Sequence, residues 1–222
     1  MAKSKKSKMG SFNWKIFSMK AIKLLEFASQ SSIVPVKDIR WEEIVFHVLK
    51  NMGQKYKGGD PKWDMGSHAK GADIWTDEFA ISAKAGNIKT DFISISSYRL
   101  TRFKNLQEMK VFIDGTGKNF NFYLCCVSTD NSDGSRTYKI FCVPSTVFNA
   151  KKLKWSRKRS RHGGVVSGWQ GSNKQGVEVQ IIKNMSNQLW IKVPLKLCSK
   201  IGEVKIQRNF LGVALDKILH KK

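Results

Sequence analysis

Asp73, Ser82 and Lys84 are the residues of this chain whose types and spacing suit chemistry on a phosphodiester. They lie in Gly66-Ser67-His68-Ala69-Lys70-Gly71-Ala72-Asp73-Ile74 and in Phe79-Ala80-Ile81-Ser82-Ala83-Lys84, with acid and lysine eleven residues apart. A turn near Thr76 to Glu78 folds these arms into a hairpin that sets Asp73 opposite Ala80 to Ser82. Side chains alternate across a strand, so Ser82 and Lys84 then share a face, and carboxylate, hydroxyl and ammonium converge. A divalent cation takes oxygen ligands, while a nearby lysine orients or deprotonates a water and counters the charge of a phosphodiester under attack. That donor set suits a metal-dependent nuclease.

The elements that must hold this hairpin are legible on both sides of it. Trp14, Phe17, Ala21, Leu24, Leu25 and Ala28 recur at helical spacing, with lysines on the other face. A second helix is predicted from about Ile39 to Met52, with Asp38 as its N-cap and Gly53 as its stop; its apolar residues are Trp41, Ile44, Val45, Val48, Leu49 and Met52. Glu42 shares a face with Val45, Leu49 and Met52, a costly place for a carboxylate unless a cation meets it there. Residues 54–71 read as a Gly- and Lys-rich loop. After Lys84 the sequence predicts a turn at Ala85-Gly86-Asn87 and then a strand over Asp91 to Ser97. A short helix follows over Leu106 to Ile113, ended by Asp114-Gly115. Phe120 to Val127 and Thr137 to Val143 form a hairpin around the polar stretch Asp130 to Ser135. Val165 to Trp169, Val177 to Ile182 and Leu189 to Val193 read as short strands, and Phe210 to Leu219 as a closing helix. The fold class expected is α/β (α+β), a mixed β-sheet flanked by helices.

Composition points to a polyanionic partner. Lys and Arg number 40 against 17 Asp and Glu, a formal net charge of +23 over 222 residues. With 41% hydrophobic residues and no Pro- or Ser-rich linker, the chain reads as one domain over 11–222 behind a flexible basic arm, residues 1–10. The segment after that arm is interrupted by Lys15, Lys20, Lys23 and Glu26, which excludes a secretory apolar region, and no run approaches the length of a membrane span. Cys125, Cys126, Cys142 and Cys198 lack metal-site spacing and read as reduced core residues. A cytoplasmic location is expected.

The helix acid, the Gly-Ala-Asp and the strand ending in Ser-Ala-Lys together resemble the PD-(D/E)xK nuclease superfamily, and within it the type II restriction endonucleases, over about Trp41 to Arg102. The resemblance implies a restriction-endonuclease-like fold and a metal held by Asp73, with Lys84 as the lysine of the second half-motif. Glu42 matches the helix acid, and Glu43 is its one-residue alternative. Ala72 replaces the family's proline. Ser82 stands where the family usually carries Asp or Glu, which leaves the site a carboxylate short; Glu42 is expected to supply it, with Asp91 or Glu78 next in line.

Further along, the guanidinium groups of Arg99 and Arg102 suit phosphate or guanine. Lys151 to His162 carries eight basic residues, and its Lys154, Trp155, Arg157, Lys158, Arg159 and Arg161 are expected to form a loop that lies along a nucleic-acid backbone or reaches into a groove. Trp63, Trp75, Trp169 and Trp190 are read as core and Trp155 as the exception, being set among charges. His47 and His68 are read as structural, and His162-Gly163-Gly164 lacks the companions of an HNH site. The function expected is magnesium-dependent, sequence-specific hydrolysis of double-stranded DNA by a homodimer with no membrane partner. The alternatives are a repair or structure-selective nuclease of the same superfamily and a non-catalytic nucleic-acid-binding protein.

Overall fold

The computed structural model describes residues 12–30, 32, 34–52, 59–64, 72–115, 119–159 and 165–207. The basic arm, Gly53, most of the 54–71 loop, Arg161, His162 and the Phe210 to Leu219 segment lie outside the described residues. Two helices lead, α1 (Trp14–Gln30) and α2 (Asp38–Met52), followed by strands β1 (Lys62–Trp63), β2 (Ile74–Trp75), β3 (Ala80–Lys89) and β4 (Phe92–Arg99). Helix α3 (Leu106–Asp114) precedes β5 (Phe122–Asp130), β6 (Ser135–Pro144) and β7 (Lys154–Arg159). The last strands are β8 (Val166–Ser172), β9 (Glu178–Ile182), β10 (Gln188–Pro194) and β11 (Ser199–Gln207). All of them join one mixed sheet, ordered β11-β6-β5-β3-β4-β10-β9-β8-β7, with β2 also on β3 and β1 on β2. Among the described residues no helix is long and apolar enough to cross a membrane.

Both faces of the sheet's centre are buried, which is why β5 reads as an unbroken apolar run rather than an alternating one. Phe122, Leu124 and Cys126 point into the cluster under α1 and α2, while Tyr123, Cys125 and Val127 point into the cluster under α3. Helix α1 buries Phe17, Ala21 and Leu25, one residue every fourth. On α2, Trp41 is fully buried, and its indole N–H donates to the Leu124 carbonyl of β5 at 2.7 Å. That bond pins the first turns of α2 over the sheet and fixes where Glu42 lies. Helix α3 starts at Asn105, whose side chain accepts from the Glu108 N–H, and ends at Gly115 as expected.

Three expectations are corrected. The chain does not turn at Ala85-Gly86-Asn87: β3 runs on to Lys89, and the turn is Thr90-Asp91, with Thr90 at φ 55°. Gly86 fits closely inside the sheet, where a Cβ would meet Ile93 and the Ser94 carbonyl at 3.3 Å. The basic segment is not a loop; Lys154 to Arg159 is the edge strand β7, paired with β8 from Lys154↔Ser172 to Arg159↔Val166. Trp155 is no exposed exception: it packs against the α3-side cluster, and its N–H donates to the Ala150 carbonyl at 2.7 Å. All four cysteines are free, with Cys125, Cys126 and Cys142 buried and Cys198 half-buried.

Candidate active site

The cleft is a fork in the sheet. Strand β2 pairs with β3 only at Trp75↔Ala80 and Ile74↔Ile81, and β4 pairs with the same edge of β3 only from Gly86↔Ile95 to Lys89↔Phe92. Between these zones, Ser82 to Ala85 have no strand on that edge among the described residues, although β5 runs parallel along the other from Ile81 to Gly86. The Ala80 carbonyl accepts from Asn121 on the β5 side, and the Ile81 carbonyl accepts from Asp73 at 2.8 Å on the β2 side. Strand alternation therefore aims the peptide groups of Ala83 and Ala85 into the fork.

Asp73 closes the near side of this opening. Its N–H is held by the Ile81 carbonyl, and its own carbonyl accepts from the Asp64 N–H at 3.1 Å. Its carboxylate Oδ2 accepts from Lys84 Nζ at 2.7 Å and from Ser82 Oγ at 3.2 Å. Ser82 is buried, whereas the side chains of Lys84 and Asp73 keep 22% and 20% of their surface open, so the ion pair is reachable from solvent. The hairpin geometry expected from the sequence thus places these three groups together.

Glu42 reaches the same cleft from α2 and accepts from the Trp63 indole N–H at 3.2 Å. Half-burial pushes its carboxyl above the usual range, and the neighbouring Asp73 adds to the shift; Trp63 and Lys84 oppose it. Glu43 does not line the cleft, nor do Asp91, in the far turn of the β3–β4 hairpin, and Glu78, exposed in the near turn. The cavity encloses about 400 Å³, and Asp38, Ser96, Ser97, Tyr98, Arg99 and Gln188 complete its wall. The sequence marks Asp38 only as an N-cap; its place one helical turn before Glu42 is the signal that could have found it. Gln188 carried no local signal: it arrives from β10 and is fixed by donating to the Ser97 and Tyr98 carbonyls. Burial raises the Tyr98 and Tyr123 phenols.

The expected nucleic-acid residues divide. Arg99 is exposed on the cleft wall. Arg102 stacks its guanidinium over Phe103 and Phe112, 4.9 and 4.5 Å from the ring centroids, and is not a wall residue. Lys154, Arg157, Lys158 and Arg159 lie on β7, well along the sheet from the fork. Among the described residues no group of three or more His, Cys, Asp or Glu side chains stands ready to hold a metal ion. The chain matches no protein-family model, no curated protein and no solved structure.

Proposed function

We propose that the chain is a type II restriction endonuclease, a cytoplasmic homodimer that hydrolyses double-stranded DNA at a specific sequence with magnesium. The observation that carries this reading is the Asp73–Lys84 pair, braced by Ser82, at a stretch of β3 with no strand on that edge among the described residues, in a cleft that Glu42 reaches from α2. The residues present fit a divalent cation. The Asp38, Glu42 and Asp73 carboxylates line one cleft, and the two main causes of the rise in the Glu42 carboxyl, burial first and the charge of Asp73 second, are ones that a bound cation would offset. Asp73 and Glu42 would hold it, with the Ala83 and Ala85 carbonyls as neutral oxygen donors and Ser82 assisting. When bound, the ion supplies a Lewis-acidic centre that neutralises charge developing on the phosphate.

The protein's own groups do the rest. Ser82 donates to Asp73 and fixes its carboxylate orientation. Lys84 counters the phosphate's charge and positions the attacking water, whose oxygen bonds to phosphorus as the bond to the leaving oxygen breaks; the water's proton passes to solvent and the departing oxygen takes one from solvent. Arg99 on the wall receives the flanking phosphate. A second reading, DNA binding without cleavage, is favoured by the cations Lys154, Arg157 and Arg159 exposed on β7, away from the cleft, and by the net charge of +23. Incubation with plasmid DNA, with and without magnesium, separates them. Discrete magnesium-dependent fragments are expected; a smear or junction cutting would indicate a repair nuclease, and retardation alone the binder.

A further inference from the structure

One row of side chains leads across the sheet from the cleft to its open edge. The cross-strand register places Ser96 of the cleft wall beside Trp190, Trp190 beside Gln180, Gln180 beside Gln170 and Gln170 beside Ser156. Every member is half-buried or exposed, whereas the alternate residues Val179, Ile181, Leu189 and Ile191 are buried in the α3-side cluster. Lys154 and Lys158 stand on the rows to either side, each two positions from Ser156 on the same face of β7. At the cleft end, the Trp190 indole N–H is buried with no acceptor among the described residues.

We propose that this row is a base-reading surface for duplex DNA, with the β7–β8 ribbon entering the major groove and Gln170 and Gln180 meeting base edges. The proposal rests on reading the cleft as a nuclease site and deepens it by naming the residues that set its specificity. A major groove about 12 Å wide admits a two-stranded ribbon. Glutamine amides carry the paired donor and acceptor that a base edge requires. Lys158 Nζ donates to Gln180 Oε1, which turns the amide so that its NH₂ group meets an acceptor such as a purine N7. Lys154, exposed on the neighbouring row, would face a phosphate wall of the groove, and with Ser156, Gln170, Glu178 and Gln180 it lines a depression of about 230 Å³. Strand spacing puts β8 roughly 19 Å from β3, five or six base steps from a phosphate in the fork. The deep, narrow major groove of duplex RNA would exclude the ribbon.

The test compares the wild-type chain with Gln170→Ala, Gln180→Ala and Lys154→Ala on a randomised DNA duplex pool, sequencing the fragments cut with magnesium and the duplexes retained without it. Each glutamine variant is expected to lose discrimination at one base pair by between about fivefold and about a hundredfold, with unchanged affinity for random sequence. Lys154→Ala should weaken all sequences alike and flatten the slope of log affinity against log salt by about 0.9. An unaltered recognition sequence in both glutamine variants overturns the proposal, as does equal affinity for duplex RNA. Absence of cleavage by the wild type overturns the nuclease reading alone; the retained pool still decides the row, since a base preference lost in the glutamine variants supports it and the lack of any preference refutes it.

Discussion

Lys84 and Asp73 keep part of their surface in solvent, so their removal costs the fold little while dismantling the reacting end of the cleft. Lys84→Ala and Asp73→Ala are each expected to lower cleavage by at least about a hundredfold while the thermal transition stays close to wild type. Asp73→Ala should also bind DNA more tightly, since it removes a negative charge near the phosphate; supercoiled-plasmid cleavage, calorimetry and gel shifts check the three parts. Glu42 allows a test without activity. Its raised carboxyl means that the folded chain holds this proton more tightly than the unfolded chain, so its stability contribution falls as pH rises above the ordinary 4.5. Glu42→Gln should therefore melt higher than wild type at neutral pH, with the gap closing below about pH 4.5. Added magnesium should raise the wild-type melting temperature more than that of the variant. Glu43→Ala should cleave normally, whereas Glu42→Ala should lose activity nearly as fully as Asp73→Ala. The convergence of Asp73, Ser82 and Lys84 could be read in the sequence because one hairpin holds all three, and hairpin register is local. Gln188 was hidden because its place depends on β10 pairing with β4, some ninety residues away.

At the scale of elements, the legible parts were those whose period survives intact: both leading helices, α3 and the β5–β6 hairpin fall within a few residues of expectation. Strand β11 was missed because its apolar residues, Ile201, Val204 and Ile206, slip out of period two at a register shift between Lys200 and Gly202. Strand β7 was missed because, at the edge, Trp155 alone needs apolar cover, and the cations Lys154, Arg157, Lys158 and Arg159 occupy both faces, which hides any period of two. A related irregularity shapes β8. Gly168 has φ 155°, and a Cβ on it would stand 1.9 Å from the Ile181 carbonyl oxygen. Gly168→Ala should force β8 from β9 and cost about 2 kcal/mol or more in urea unfolding, while an exposed change such as Ser172→Ala stays within about 0.5 kcal/mol.

For the whole molecule, cutting two strands calls for two clefts, and the proposed homodimer supplies them by symmetry. Wild-type chains mixed and re-equilibrated with Lys84→Ala chains should turn supercoiled plasmid into nicked circles, the product of a dimer with one working site. If every subunit acted alone, the mixture would only dilute the linear product.

The open edge of β7 carries a further consequence. Its other side has no strand among the described residues, so it presents unpaired peptide groups to any extended chain it meets. Lys154, Arg157, Lys158 and Arg159 put four like charges on those six positions, and two such edges repel each other on approach. The cations proposed to meet DNA thus also keep copies of the protein from zipping together into aggregates. Replacing all four with Thr should make the chain self-associate at low salt, seen as fast-sedimenting species, whereas wild type should associate only when concentrated salt screens the edge.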